Sequence, residues 1–531
     1  MSVIEHTPIL TIVMPLTFAF LIPILTAVKK ESKIPEVLAL VGSLCSLVFS
    51  VIVAYAIWSV GKPIVYTLGA DVPTIVYRNQ EFPVRILLEI DRLSALLGIL
   101  VAFEVFIATI FSWGYIRDHK RKDKYYTLML LSLVGMLGIL YTGDLFNLYV
   151  FLEILAISSY ALVAFEYEHP EALEAAMKYL VLGSISSTFI LVGIAIIYGE
   201  FDSLTMAMVA KLIDEYGMTA SLVIAYALFT MGALLKAGVA PMHMWLIDAH
   251  PSAPSPFSAV LSGVIVKVAI YIFLRITFSV FGLTNIDTTS VGIIIVGLAA
   301  ISLTIAPIMA TAQKDVKRLF AYSTVTELGY IIMGIGVFFL APLSVHGILA
   351  IEGSLFHIIN HAIYKGLLFL VSGSLIVAVG TRDLTKMSNI AKKMPYTTIA
   401  LIIGLFSIIG LPPLNGFASK WLIIESSFAY SPVTGLFVIL GSALTFAYMM
   451  KVVLSLYAPG GKEPSGEVGA SMVVPVIVMA IICIVIGLLS SQILDRIIAP
   501  SIESLISRSE YINAVFNYKE AALNWSGVKL L

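Results

Sequence analysis

Long apolar runs separated by short polar segments follow one another along the chain of 531 residues. A helix needs roughly 20 mostly apolar residues to span a membrane, so these runs predict an all-α, polytopic membrane protein with fourteen transmembrane helices. The predicted helices lie near residues 8–28, 36–60, 93–115, 126–142, 144–166, 172–198, 219–249, 256–283, 289–312, 319–340, 343–379, 397–430, 432–458 and 470–499. The eleventh is long enough to predict a kink or a strong tilt.

Composition supports a single membrane domain and argues against redox centres in this chain. Hydrophobic residues make up 59% of it and charged residues 12%, whereas soluble domains carry about a quarter charged residues. The net charge of −1 indicates no attraction to nucleic acid. The two cysteines, Cys45 and Cys483, lie in apolar runs, and an iron–sulfur cluster usually takes four ligands. We therefore expect no metal, flavin or other cofactor here, and assign any redox chemistry to a partner.

Basic residues cluster in alternate loops, which predicts the orientation. The positive-inside rule assigns such loops to the cytoplasm, and fourteen spans put all four clusters on that side. Both termini are then outside a cytoplasmic membrane. The clusters are Lys29, Lys30 and Lys33; Arg117, Lys120, Arg121, Lys122 and Lys124; Lys314, Lys317 and Arg318; and Arg382, Lys386, Lys392 and Lys393.

Ionised residues inside the apolar runs are the main functional signal, because a charge at the bilayer centre costs roughly 2.5–3.5 kcal/mol. Glu153, Lys236 and Lys267 lie within predicted helices 5, 7 and 8. A structural carboxylate is the alternative interpretation of Glu153. Arg275, two turns after Lys267, is expected to anchor helix 8 at the interface.

Predicted helix 11 carries three titratable residues on one face. His357, His361 and Lys365 are spaced i, i+4 and i+8, which places them about 6 Å apart per step along the helix. A lone buried histidine is usually structural, whereas three such groups in register predict a proton relay.

Two predicted helices contain glycine and proline beside a lysine. Gly238 and Pro241 follow Lys236 in helix 7. Proline removes a backbone donor and clashes with the preceding turn, so it predicts a helix break. Transporters place ion sites at such broken helices. Helix 12 repeats the pattern with Pro412, Pro413 and Gly416 before Lys420.

The repeated pattern predicts an internal inverted repeat of helices 4–8 and 9–13. The repeat is imperfect, because Lys236 precedes its break and Lys420 follows its own. Glu327 is expected near the cytoplasmic start of helix 10 rather than at mid-membrane opposite Glu153. Four further residues are candidates for proton access or for purely structural roles: Lys178, Asp144, Asp248 and His250.

The chain divides into four regions on this interpretation. Residues 1–90 hold helices 1 and 2 with an external loop, and 91–285 hold helices 3–8 with a first half-channel. Residues 286–458 hold helices 9–13 with a second half-channel, and 459–531 hold helix 14 and an amphipathic tail that includes Trp525. A short interfacial helix is expected within 199–218.

These segments together resemble the antiporter-like subunits of the respiratory complex I superfamily, which includes Mrp-type cation/proton antiporter subunits and their equivalents in membrane-bound hydrogenases. The matching motifs are Glu153 in helix 5, KAGVAPMHMWLIDAHPSAPSPFSAVLSG in helices 7 and 8, HIINHAIYK in helix 11 and GLPPLNGFASK in helix 12. They span about residues 90–455. The chain most strongly resembles the large antiporter-like subunit of archaeal membrane-bound hydrogenase or of its sulfane-reducing relative.

The resemblance implies a Glu/Lys pair in helices 5 and 7, a central lysine in helix 8, a relay in helix 11 and a terminal lysine in helix 12. It also implies membrane partner subunits and, through them, a hydrogenase-like peripheral arm. Many relatives carry a neutral polar residue where Glu327 stands. The predicted proton path, in order, is Lys236, Lys267, His357, His361, Lys365 and Lys420, with Glu153 paired to Lys236.

Three other functions compete with a proton-translocating subunit of a redox-driven pump. A sodium/proton antiporter subunit of the Mrp D type is the nearest alternative. An organic solute carrier needs a substrate-sized cavity at the midplane and leaves the row of titratable groups unexplained. A purely structural anchor of a redox complex needs neither Glu153 nor the lysines.

Overall fold

A computed structural model of the protein describes residues 3–28, 33–68, 74–77, 80–83 and 86–516. Within these ranges thirteen helices are long and apolar enough to cross a membrane. A shorter apolar helix, Pro395–Ile409, is followed directly by Asn415–Tyr430, and we count these two as one further span. The predicted polytopic all-α architecture is therefore confirmed. In chain order, helices 1–7 are Thr7–Val28, Ile34–Val60, Arg92–Tyr115, Lys122–Tyr141, Leu145–Val163, Pro170–Phe201, and Ala220–Ala237 with Met244–Ser252; helices 8–14 are Ser255–Phe281, Thr288–Ala312, Val316–Leu340, Val345–Val379, Pro395–Ile409 with Asn415–Tyr430, Pro432–Ser455, and Ala470–Leu488.

Short elements outside the spans complete the described chain. Strand β1 (Ile64–Leu68) pairs antiparallel with β4 (Ile86–Ile90), and β2 (Thr74–Tyr77) pairs antiparallel with β3 (Gln80–Pro83), so the predicted external loop contains strands. The expected interfacial helix is present at Met206–Tyr216. The remaining short helical segments are Val3–His6, Leu384–Lys386, Ile390–Lys393, Ser490–Ile493, Leu494–Ile498, Ala499–Ile506 and Arg508–Phe516. Lys29, Lys30 and Trp525 lie outside the described residues.

Helices 8, 10 and 11 form the enclosed centre of the bundle, where almost every residue is buried. Helix 11 is one continuous helix of 35 residues, and the predicted kink is not needed to account for its length. Helix 8 contains two π-helical segments, Leu261–Ile265 and Ile276–Phe281, on either side of Lys267. Such segments leave carbonyl groups without their usual i+4 partners, and they often occur at functional sites.

Both predicted breaks are present, and a left-handed glycine ends the first half of each helix. Gly238 (φ 75°) ends the first half of helix 7 and Gly410 (φ 87°) that of helix 12. Without a Cβ, glycine adopts this conformation at little cost. Gly416 was predicted to belong to the break but lies in the second half-helix, where a Cβ would collide with the Ser407 carbonyl oxygen. Its role is to allow this close approach.

A matching pair of backbone bridges marks the inverted repeat. At the start of helix 5, the Leu145 amide donates to the Leu204 carbonyl and the Met206 amide to the Gly143 carbonyl. At the start of helix 10, the corresponding bonds run from Val316 to Arg382 and from Leu384 to Lys314. The first bridge leads into the beginning of helix 7. The second lies beside the end of helix 7, where Arg318 pairs with Asp248 at 3.2 Å. The two bridges therefore sit at opposite ends of the bundle.

A buried ion pair ties helix 8 to helix 3. The Arg275 guanidinium lies 2.7 Å from Asp91 Oδ2, and both side chains are almost completely enclosed. Arg275 also donates to the hydroxyls of Tyr271 and Ser279. The expectation that Arg275 anchors at the membrane interface was wrong, because Asp91 stands at the start of helix 3 and gives the guanidinium an internal partner.

We expect Asp91→Asn to lower the free energy of unfolding by about 3–5 kcal/mol, the cost of leaving one member of a buried pair unpaired. Asparagine still caps helix 3, so the loss reports the charge. The measurement is thermal or denaturant unfolding in detergent. Adding Arg275→Met should restore part of the stability. Asp287→Asn, the same change at an exposed cap of helix 9, is the matched control. Wild-type stability in Asp91→Asn would contradict the assignment.

Candidate functional site

A carboxylate at the middle of helix 10 organises the buried polar groups of the second half of the bundle. Glu327 is completely buried. Its Oε1 accepts from Lys420 Nζ at 3.0 Å, and its Oε2 accepts from the Tyr364 hydroxyl at 2.7 Å and lies 2.9 Å from His357 Nε2. A buried charge is tolerated when it is paired and hydrogen-bonded, and Glu327 has partners on both oxygens.

This geometry corrects the expected position of Glu327. It is the twelfth residue of helix 10, which begins at Val316 rather than near 319. The backbone bridges align Leu145 with Val316, so Thr324 corresponds to Glu153 and Glu327 lies about one helical turn further on. Glu327 is therefore a mid-membrane counterpart of Glu153.

The same comparison explains why the lysines stand on opposite sides of their breaks. Lys236 is two residues before Gly238, and the residue two before Gly410 is Ile408. Lys420 Nζ reaches back across the break and donates to the Ile408 carbonyl at 2.6 Å. Its ammonium group therefore returns to the position that corresponds to Lys236, although its backbone lies beyond the break.

The relay on helix 11 forms one face, as predicted. The rings of His357 and His361 are parallel, with centroids 6.1 Å apart. The order of transfer stays a prediction, but the contacts run opposite to the predicted order. His357 shares Glu327 with Lys420, whereas Lys365 donates to the Phe320 carbonyl at 2.9 Å and to Ser323. Because Glu327 contacts both His357 and Lys420, His357 lies at the Lys420 end of the row. The spatial order from the Lys365 end is therefore Lys365, His361, His357.

Hydroxyl and carbonyl groups connect Lys267 with Lys365. Lys267 donates to the carbonyl oxygen of Ser262, whose hydroxyl lies 2.7 Å from that of Thr324. The Thr324 hydroxyl donates to the Phe320 carbonyl at 3.0 Å, and Lys365 donates to the same carbonyl. Lys267 and Lys365 are both buried, so a polar path joins helices 8, 10 and 11 inside the bundle.

Tyr160 is the hydrogen-bond partner of Lys236, one of the two residues of the predicted first pair. Lys236 is buried and donates to the Tyr160 hydroxyl at 3.3 Å. Glu153 lies on the same helix as Tyr160, two turns earlier, and is half-buried. Glu153 acts electrostatically on Lys236, but no direct ion pair joins them in the described part of the chain. A water-bridged pairing of Glu153 with Lys236 stays a prediction.

The candidate access residues divide into surface and interior groups. Lys178 pairs with Asp248 at 2.8 Å and with Glu174 at 2.7 Å, and these groups are partly exposed. His250 is completely buried against Phe369, with centroids 4.4 Å apart, and neither ring nitrogen has a hydrogen-bond partner among the described residues. Asp144 caps helix 5, because its side chain accepts a hydrogen bond from the backbone N–H of Asn147 at 2.8 Å.

Several buried charges were missed from the sequence, among them Lys317 and Glu104. Lys317 was grouped with a basic loop, but it is buried in the first turn of helix 10 and donates to the Ala253 carbonyl at 2.5 Å. Glu104 is buried at mid-helix 3 and its Oε1 has no hydrogen-bond partner within the described ranges. The signal for Glu104 was present, since it interrupts the apolar run 93–115.

Across the described residues, no group of three or more His, Cys, Asp or Glu is arranged to hold a metal ion. The expectation that this chain has no cofactor stays a prediction.

Helical spans broken at matching positions, with a buried row of lysines, histidines and glutamates between them, define an ion-translocating type of membrane protein. Residues 142–445 match the family described as NADH:quinone oxidoreductase/Mrp antiporter, transmembrane. The chain belongs to this family and is an antiporter-like subunit of the complex I/Mrp type, as the resemblance implied.

Similar proteins cover nearly the whole chain. NADH-quinone oxidoreductase subunit N of Desulforudis audaxviator is 33% identical over 93% of this chain and 98% of its own length. A Na(+)/H(+) antiporter subunit of Bacillus subtilis, of the D type, is 26% identical over 96% of this chain and 98% of its own. A chain of the membrane-bound sulfane sulfur reductase, an archaeal respiratory membrane complex, is 29% identical, with a TM-score of 0.85 over 96% of this chain and 100% of that one.

Glu327→Gln should reduce ion transport by about a hundredfold, the lower end of the range for a positioned proton donor or acceptor. The amide leaves Lys420 and His357 without their shared negative charge. Transport is measured in vesicles that contain the parent complex. Thr326→Ala changes a buried neighbour whose hydroxyl donates to the Tyr322 carbonyl and should leave transport close to wild type. Equal transport in the two variants would show that the carboxylate is dispensable.

Proposed function

We propose that this chain carries protons across the membrane along its buried lysine, histidine and glutamate side chains, as one subunit of a redox-driven ion pump. The observation that carries the proposal is the Glu327 network, in which one buried carboxylate bonds Lys420, lies beside His357 and accepts from Tyr364. A structural anchor has no need of such groups, because charges inside a membrane are expensive.

Charge coupling supplies the driving step. An ion pair at 4 Å in a medium of effective dielectric 20 is stabilised by about 4 kcal/mol. Formation of the Glu153–Lys236 pair holds a proton on Lys236, and loss of the pair favours its release toward Lys267. Hydroxyl groups and inserted water then lead to Lys365, His361 and His357, and Glu327 passes the proton to the Lys420 end. A neighbouring subunit resets the cycle by changing its own charge state.

The partners are other membrane subunits and, through them, a hydrogenase-like peripheral arm. The named relatives are subunits of NADH-quinone oxidoreductase and of a Na(+)/H(+) antiporter, and the similar solved chain belongs to a sulfane sulfur reductase. Glu153, half-buried on helix 5 with an enclosed Oε1, is suited to sense a charge on an adjoining subunit. The chain resides in the cytoplasmic membrane with both termini outside.

A sodium/proton antiporter subunit is the second candidate. The similarity to the Bacillus subtilis Na(+)/H(+) antiporter subunit, which covers 98% of that protein, favours it. In that case this chain still carries the protons and the sodium site belongs to a partner chain. Sodium uptake into vesicles that is driven by an imposed proton gradient without electron transfer, and is lost with a protonophore and on changing Lys236, would favour this candidate over a purely redox-driven pump.

Lys236→Ala is expected to abolish proton transport by the parent complex while assembly, checked by subunit content on a gel, is retained. Glu153 can then become neutral, which limits the folding cost. Lys236→Arg should fail as well, because arginine stays charged in proteins.

Proton transport is measured in vesicles during turnover of the complex. Lys386→Ala, at a lysine that is mostly exposed, is the control and should transport normally. Full transport by Lys236→Arg would mean that this position need not release a proton, and the scheme would be wrong.

A further inference from the structure

Glu104 is a buried carboxylate at mid-helix 3 that the proposed path does not use. Only 1% of the residue is exposed. It lies on helix 3, which packs against helices 8, 11 and 14. Its Oε1 has no hydrogen-bond partner among the described residues. An unsatisfied buried carboxylate is costly, so Glu104 needs a proton, a water molecule or a cationic partner.

Two glycines border this carboxylate, and one of them, Gly366, makes room for it. A Cβ on Gly366 would collide with Glu104 Oε2, and one on Gly263 would lie 3.4 Å from the same oxygen. Gly366 follows Lys365 on helix 11, and Gly263 follows Ser262 on helix 8. The carboxylate therefore sits between the two helices that carry the central groups of the path.

Lys267 is the cation that this carboxylate faces. Lys267 donates to the carbonyl of Ser262, the residue next to Gly263, so both groups meet the same turn of helix 8. Lys267 interacts electrostatically with Glu104 and also with Lys365. In the described part of the chain no ion pair joins Glu104 to Lys267.

We propose that Glu104 is the alternating ion-pair partner of Lys267. In one state Lys267 binds the Ser262 carbonyl, on the side that leads through Thr324 to Lys365. In the other state its ammonium pairs with Glu104, which holds the proton away from Lys365 until the next charge arrives. The three lysines of helices 7, 8 and 12 then each have a carboxylate: Glu153 for Lys236, Glu104 for Lys267 and Glu327 for Lys420. This role rests on the proposed function and adds a positioning residue to it.

The test compares Glu104→Gln, Glu104→Asp and wild type in vesicles that contain the parent complex. Glu104→Gln should lower proton transport about tenfold or more, less than the roughly hundredfold contribution of a direct proton carrier, because Lys267 keeps its carbonyl partner. Glu104→Asp should recover part of the loss. Thr109→Val, at a buried helix-3 hydroxyl that donates to the Val105 carbonyl, is the control and should transport normally.

A second readout separates charge from packing. The pH profile of transport should shift in Glu104→Gln, since the titratable groups that interact with Glu104 are Lys267 on helix 8 and Cys483 on helix 14. A difference infrared spectrum of the complex should lose one carboxyl band in this variant. Gly366→Ala adds a methyl group that displaces the carboxylate. It should reduce transport when Glu104 is present and cause no further loss when it is combined with Glu104→Ala.

The outcomes distinguish this inference from the proposed function. Loss of transport in Lys236→Ala together with wild-type rate and pH profile in Glu104→Gln would overturn the role of Glu104 alone. Normal transport in Lys236→Ala would overturn the proposed function, and the role of Glu104 with it. Equal loss in Glu104→Gln and Glu104→Asp, with no change in pH profile, would assign Glu104 to packing and contradict the pairing.

Discussion

Each charge inside this bundle must find a partner, because the surrounding lipid and apolar side chains offer none. The protein meets this constraint in two ways. Asp91 and Arg275 form a close pair with further hydrogen bonds from the guanidinium, and this pair holds helix 8 to helix 3. Along the path itself the partners are incomplete. Glu104 Oε1, Glu153 Oε1 and the ring nitrogens of His361 lack hydrogen bonds in the described part of the chain, so they depend on water, a proton or a moving neighbour.

The broken helices add backbone groups to this set of partners. At the break in helix 7 the Leu235 carbonyl accepts from the Trp245 indole at 3.2 Å, which leaves Lys236 free to approach Tyr160. At the break in helix 12 the Ile408 carbonyl accepts from Lys420 itself. The inverted repeat therefore places two ammonium groups at corresponding positions, one against a phenol and the other against a carboxylate.

Much of the architecture follows from the sequence, because apolar length and Gly/Pro breaks are properties of a single segment. The fourteen spans, both breaks and the shared face of His357, His361 and Lys365 were predicted in this way. The contacts between side chains of different helices were not predicted. Helix 10 begins three residues earlier than its apolar run suggested, because Asp315 caps it, and Glu327 is its twelfth residue. Tyr160, Ser262 and Thr324 are modestly polar residues whose roles depend on neighbours distant in sequence.

The central claim is that protons pass through the middle of the bundle by way of Lys267. Lys267→Gln removes the titratable ammonium and keeps a side chain that can donate to the Ser262 carbonyl. The decisive measurement is proton movement into vesicles that contain the complex, recorded together with its electron-transfer rate. If Lys267 carries the protons, proton movement per electron falls sharply in Lys267→Gln while the complex remains assembled. An unchanged ratio of protons to electrons would contradict this claim.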